Sequence, residues 1–201
     1  MSDNIYVDKD AVVEEGAVVF PNNYIGAGSV IKSGAVLRPN NIIENSVVEE
    51  GAVVTASVLE SAHVGKRAQV GPFCYMRAGA KVGEGCKAGD FVEIKNASLG
   101  DGTKASHLAY VGDCDVGAGC NVGCGVIFVN YDGKQKHRSK VGDRAFIGSN
   151  SNIIAPVNIG DDAYIAAGTT ITEDVPEAAL VIGRSRQTVK EGKARGKFKL
   201  I

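Results

Sequence analysis

Metal-binding and disulfide-forming residues are scarce in this chain. Among its 201 residues are three histidines, His63, His107 and His137, spaced too widely to read as the imidazole trio of a zinc site. The five cysteines are an odd number with no Cys-x-x-Cys pair, which argues against a disulfide framework and a zinc ribbon. The formal net charge is −1, so nucleic acid is not the default partner. No apolar run approaches the ~18 residues that cross a bilayer, and Met1-Ser2-Asp3-Asn4 lacks the basic-then-apolar opening of a secretory signal. These absences lead to the expectation of a cytoplasmic protein with no membrane insertion and no resident metal.

What the chain has instead is a period of six. Aliphatic residues open successive windows at Val7, Val13, Val19, Ile25, Ile31, Leu37 and Ile43. A helix returns an apolar residue every three to four positions and an exposed strand every second one, so neither alone explains that period. Hexapeptide windows suit a parallel β-helix, in which each window lays down a short strand and a turn and stacked coils share an axial core. The phase absorbs steps of five, as from Ile43 to Val48. It runs on through Val70, Met76, Val82, Ala88 and Ile94, and later from Val141 through Ile147, Ile153, Ile159 and Ile165 to Ile171. With three windows per coil, roughly 28 windows make about nine coils and a prism about 45 Å long.

The expected fold is therefore all-β, a single solenoid over residues 1–175 with one inserted loop, followed by a C-terminal extension and basic tail over residues 176–201. Glycines directly after an inward aliphatic, such as Gly26, Gly65, Gly83 and Gly123, are expected at tight corners with positive φ. Cys74, Cys86 and Cys120 fall four residues after Val70, Val82 and Val116, where small buried side chains are expected.

Two interruptions stand out. After Phe128 the next clear window opens at Val141, and the excess reads Asn130-Tyr131-Asp132-Gly133-Lys134-Gln135-Lys136-His137-Arg138-Ser139-Lys140. Such a cationic run is either a solvated face or a ligand-binding loop, and inserted loops on solenoids often carry function. Beyond Pro176 the tail is basic, with Arg184, Arg186, Lys190, Lys193, Arg195, Lys197 and Lys199 against Glu191. It reads either as a solubilising end or as an arm toward a phosphate-bearing cofactor or a neighbouring subunit.

Because one coil spans about 18 residues, positions near Arg77, Lys95, Tyr110 and Asn130 recur at coil intervals and can stack along one region. Arginine and lysine bind phosphate through charge and hydrogen bonds, and a histidine can serve as general base near neutral pH. His107 alone would read as a structural or solvated side chain; beside those cations it becomes a candidate base for a phosphorylated amine.

At these residues the chain resembles the acetyltransferase domain of bacterial bifunctional N-acetylglucosamine-1-phosphate uridylyltransferase/glucosamine-1-phosphate acetyltransferases, within the hexapeptide-repeat acyltransferases. The resemblance runs from about Val70 to Lys190 through Gly71-Pro72-Phe73, Phe91-Val92-Glu93-Ile94-Lys95, His107-Leu108-Ala109-Tyr110-Val111-Gly112-Asp113, Asn130-Tyr131-Asp132-Gly133 and Ala166-Ala167-Gly168-Thr169-Thr170. It implies a left-handed β-helix and a homotrimer. It also implies acetyl-CoA as co-substrate, glucosamine 1-phosphate as acceptor and no metal in the transfer, within UDP-N-acetylglucosamine and cell-envelope precursor synthesis.

Residue by residue, the resemblance makes His107 the base, with Glu93 orienting it. Arg77, Lys95 and Lys136 would hold the phosphate, and Tyr110, Asn121, Asn130 and Tyr131 the sugar. The Cys124 backbone amide would stabilise the oxyanion, and Ser149, Ala167, Arg184 and Lys190 would contact the cofactor. The chain departs from the family pattern at Tyr75-Met76-Arg77-Ala78, which keeps one of two arginines, at Cys124 in place of alanine, and at Lys193 in place of tryptophan. No glycine-rich nucleotide loop precedes the repeats, so uridylyl transfer and its magnesium site are not expected here, leaving a separate uridylyltransferase as a partner. Transfer to another amino sugar or sugar nucleotide, and a non-catalytic trimeric assembly module, are the competing readings.

Overall fold

The computed structural model describes residues 4–194, which form 29 short strands and, among those residues, no helix. Most strands are two residues long, and up to Thr170–Ile171 each hydrogen-bonds to the strand three places away along the chain, as Tyr6↔Tyr24 and Tyr24↔Ile42 show. Successive strands therefore fall on three faces in rotation, giving parallel sheets of ten, nine and ten strands around a triangular prism. This is the expected left-handed parallel β-helix, with about ten turns. No helix of the described residues is long and apolar enough to cross a membrane.

In each window one strand residue points in and its neighbour points out. Ile25, Ile31, Leu37 and Ile43 are wholly buried, as are Val64, Met76, Ile94 and Ile147 higher up, so each contributes roughly 1.5–3 kcal/mol by leaving water. The bottom coil differs. Val7 and Val13 stay exposed because the coil they belong to has a stacked neighbour on one side only. Cys74, Cys86 and Cys120 are buried in the stack, as is Cys114; burial pushes the Cys74 thiol up to about 12, which makes it packing rather than chemistry.

The glycines after inward aliphatics have a different cause from the one expected. Gly26, Gly65, Gly83 and Gly123 are absent from the positive-φ positions; Gly28, Gly85 and Gly125, two residues later in their windows, carry that backbone. What Gly83 supplies is room: a Cβ there would lie 2.4 Å from Asp101 Oδ1 and 2.8 Å from its backbone nitrogen. The Asp101 carboxylate crosses that gap to accept the Glu84 N–H at 2.8 Å, tying one coil to the next.

The insertion lies where the period breaks, between the strands Ile127–Val129 and Ser139–Val141. At the far end, Leu180–Val181 pairs with Tyr164–Ile165. The last strand thus carries the solenoid past the boundary expected at residue 175. The tail cations Arg195, Lys197 and Lys199 lie outside the described residues.

Candidate active site

The chain passes from the third face to the first through a repeated corner. Phe91, Leu108, Gly125, Asn150 and Gly168 all take left-handed backbone there, with φ between 45° and 74°, and each presents the residue before it on the prism edge. Ladder registers align Asp90 with His107 and, through Ala105↔Val122, Val122↔Ile147 and Ile147↔Ile165, set Cys124, Ser149 and Ala167 on successive coils above. Rungs of such a stack are about 4.8 Å apart. Arg184 closes the series by donating from Nη1 to the Ala167 carbonyl at 3.0 Å. The amides of Cys124, Ser149 and Ala167 make no hydrogen bond among the described residues, so the edge carries a row of free N–H donors. Lys190, the fifth residue expected at the cofactor, is exposed and no side-chain hydrogen bond or ion pair ties it to that edge among the described residues.

His107 ends the strand Lys104–His107 with its side chain about half exposed. Its Nδ1 lies 2.6 Å from Asp90 Oδ1, and the His107 hydrogen bond holds the Asp90 carboxyl below the usual carboxylate range. A carboxylate only accepts, so Nδ1 carries the hydrogen, and in the neutral ring the lone pair is the one on Nε2. Glu93, expected as the orienting acid, does not fill that role. Its side chain stands beyond the corner on the first face, in register with Tyr110, and its Oε1 accepts from Arg77 Nη1 at 2.9 Å.

Arg77 and Lys95 occupy neighbouring rungs of the first face. The guanidinium of Arg77 sits 5.6 Å from the centre of the Tyr75 ring. Lys95 meets Lys136 of the insertion: the Lys136 ammonium against it pulls the Lys95 pKa below the ordinary lysine value, and Arg77 adds to the effect. Three cations thus converge with two carboxylates beside them, Glu93 against Arg77 and Asp113 near Lys95, so the group keeps an excess of positive charge that favours an incoming anion. Tyr110 leans over Gly112, whose Cβ would lie 2.4 Å from the phenol oxygen, and Asn130 Nδ2 reaches the same oxygen at 3.4 Å. Tyr131 is exposed and donates to the Gly133 carbonyl within its own loop at 2.8 Å.

Asn121 is not brought into this group. It points outward from the third face, between Lys104 and Phe146 in the ladder, whereas Arg77, Lys95 and Tyr110 belong to the first. The other two histidines are also apart. His63 lies on the second face against Glu49 at 3.2 Å, and His137 pairs with Asp132 at 2.7 Å inside the insertion.

Asp90 and Asp115 went unremarked in the sequence, and Asp113 and Arg138 were noted only as members of a motif and of the cationic run. Asp90 had a usable signal, since it precedes His107 by 17 residues, one coil. Asp113, nearly buried, accepts from Asn96 Nδ2 at 2.6 Å and from Asn130 Nδ2, so a carboxylate lies beneath the base of the insertion.

A model for the bacterial transferase hexapeptide, six repeats, matches residues 138–173, and one for the GMPPB C-terminal domain matches residues 1–70. The bifunctional protein GlmU of Clostridium novyi is 50% identical over 189 residues, 94% of this chain and 41% of the relative. That of Exiguobacterium sp. is 50% identical over 187 residues, 93% of this chain and 42% of the relative. The chain thus spans about two fifths of the length of these relatives. Among solved structures, LpxA of Bacteroides fragilis, a UDP-N-acetylglucosamine acyltransferase, covers 90% of this chain and 70% of its own with TM-score 0.61 at 16% identity, which speaks for the fold alone. A mutant GDP-perosamine N-acetyl transferase of Caulobacter crescentus, solved with CoA and GDP-perosamine, is 29% identical, covers 57% of this chain and 53% of its own, and has TM-score 0.50. With the repeat, the prism and half-identity along nearly its whole length in agreement, the chain is a β-helix of the bacterial transferase hexapeptide kind and is homologous to one part of the bifunctional GlmU proteins.

Proposed function

We propose that this chain transfers the acetyl group of acetyl-CoA to the amine of glucosamine 1-phosphate, in the synthesis of an amino-sugar precursor. The observation that carries the reading is the position of His107, at the point where the cation group of Arg77, Lys95 and Lys136 meets the edge of free amides above. The GlmU homology supports the acceptor, and the CoA-bound perosamine acetyltransferase supports the donor.

In this reading the phosphate docks on the three cations and the thioester lies along Cys124, Ser149, Ala167 and Arg184. The neutral amine attacks the thioester carbon while His107 Nε2 takes its proton, and Asp90 holds the imidazole and compensates its charge. The Cys124 N–H faces the developing oxyanion. Collapse breaks the carbon–sulfur bond, and the thiolate leaves with the proton returned from the imidazolium. Tyr110, Asn130 and Tyr131 line the sugar side. Asn121 reaches the sugar only from a neighbouring copy, which gives a homotrimer a chemical purpose, and Lys190 belongs with the cofactor's distal end.

Release of free CoA thiol with glucosamine 1-phosphate tests the reading. Wild type should turn over, and His107→Ala should lose about 10²–10⁴ in kcat with its oligomeric state unchanged. Full activity in that variant would remove His107 from the chemistry, and transfer only to other amines in an acceptor panel would replace the substrate.

A further inference from the structure

The cationic run of the insertion divides into side chains that face the cation group and side chains that hold the loop. Arg138 belongs to the second kind. Its Nε donates to Asp115 Oδ2 at 2.7 Å, its Nη2 to Asp115 Oδ1, and its Nη1 to the Asn96 carbonyl at 2.8 Å. One residue on, the Ser139 N–H donates to the Asp113 carbonyl at 3.1 Å. The other end of the loop returns to the same residue, through Asn130 Nδ2 and the Asp113 carboxylate. Both ends of the insertion are therefore pinned to a short stretch, Asp113 to Asp115, one coil below.

Between those pins the loop is a compact hairpin. Tyr131 and Lys136 form an antiparallel bridge, Asp132 accepts the Lys134 and Gln135 N–H groups at 2.7 and 2.8 Å, and the His137 N–H donates to the Asn130 carbonyl at 2.8 Å. Lys136 sits two residues before Arg138 on this hairpin and lies against Lys95. Two ammonium groups repel, so without an anion a loose loop would carry Lys136 away into solvent. A pinned hairpin keeps it in place and spares an arriving anion the cost of ordering the loop.

We propose that Arg138, held by Asp115 and the Asn96 carbonyl, is a positioning residue for the phosphate subsite, fixing the insertion so that Lys136 stands beside Lys95 before substrate arrives. This deepens the function proposed above and rests on it for the identity of the phosphate ligand. Steady-state kinetics of Arg138→Gln and Asp115→Asn should show the KM for glucosamine 1-phosphate raised about tenfold, with kcat within about twofold and the KM for acetyl-CoA unchanged. Arg138→Lys should recover part of the loss, since an ammonium can make one of the three contacts but not the fork. The double variant should cost no more than either single one.

A structural role alone would act on every substrate. Equal losses with glucosamine, which lacks the phosphate, or an unchanged KM for glucosamine 1-phosphate in both single variants, would overturn the proposal. Should Arg138→Gln fail to fold, Asp115→Asn and Arg138→Lys carry the same comparison. Wild type that does not acetylate glucosamine 1-phosphate would refute the proposed function and not the anchor. The anchor is then read from calorimetric binding of inorganic phosphate, which should weaken about tenfold in Asp115→Asn and would be unaltered if the anchor did nothing.

Discussion

At the scale of residues, the pair that matters most is Asp90 with His107, 2.6 Å apart across one rung of the ladder. Both side chains are more than a third exposed, so solvent screens their contact and it adds little to stability. Its value lies in orientation: a carboxylate that can only accept holds the neutral ring in the tautomer with hydrogen on Nδ1 and the lone pair on Nε2, whereas an amide in its place imposes no tautomer. Asp90→Asn should therefore lower kcat about ten- to a hundredfold with both KM values and the melting temperature near wild type, and Asp90→Glu should recover part of the rate. An unaltered kcat in Asp90→Asn would leave His107 without a positioning acid. Glu93→Gln supplies the contrast, because Glu93 serves Arg77 and its loss should appear in the acceptor KM.

At the scale of elements, much of the windowed architecture was legible because an inward aliphatic must recur once per window for the axial core to fill; Ile25, Leu37 and Ile94 are wholly buried for that reason. The break after Phe128 was legible for the same reason, as a lapse in that requirement. What could not be read is which coil stacks on which polar side chain. Steps of five shorten some coils to 17 residues, and this shift sets Asp90 rather than Gly89 beside His107, while Glu93, 14 residues back, falls on the next face in register with Tyr110. Nor does a run such as Lys136-His137-Arg138 distinguish a ligand-facing cation from a tethered one, since that depends on Asp115 lying on the coil below. The tether has its own signature in acid. Arg138, with help from Ser98, lowers the Asp115 pKa to about 2, below the ordinary 3.8. A depressed carboxylate stabilises the folded state above its unfolded pKa and loses that contribution as pH falls through the folded one. The difference in urea midpoint between wild type and Asp115→Asn should thus be constant near neutrality and shrink as pH falls from about 4 toward 2. A gap independent of pH over that range would mean the ion pair is not what holds the loop.

At the scale of the whole molecule, the prism sorts the expected site residues onto different faces: Arg77, Lys95 and Tyr110 on the first, Asn121 on the third, and His107 on the edge between. Two faces that diverge from an edge cannot close on one small ligand within a single chain. They can do so across a contact, where the edge and first face of one copy meet the third face of the next. The stacked rings of Phe146 and Tyr164, 4.6 Å apart on that third face, and those of Phe73 and Phe91 at the corner, 5.4 Å apart, supply apolar surface for it. Subunit complementation distinguishes the two arrangements. His107→Ala and Asn121→Ala should each be nearly inactive alone. If each site takes His107 from one chain and Asn121 from its neighbour, co-expressed mixed trimers regain intact sites at random, about a quarter of the total. Turnover near a quarter of wild type in the co-purified mixture is therefore the expected result, with none when the two variants are purified separately and combined without exchange. A mixture as inactive as its parents would place both residues in the same chain's site and remove the shared edge from the mechanism.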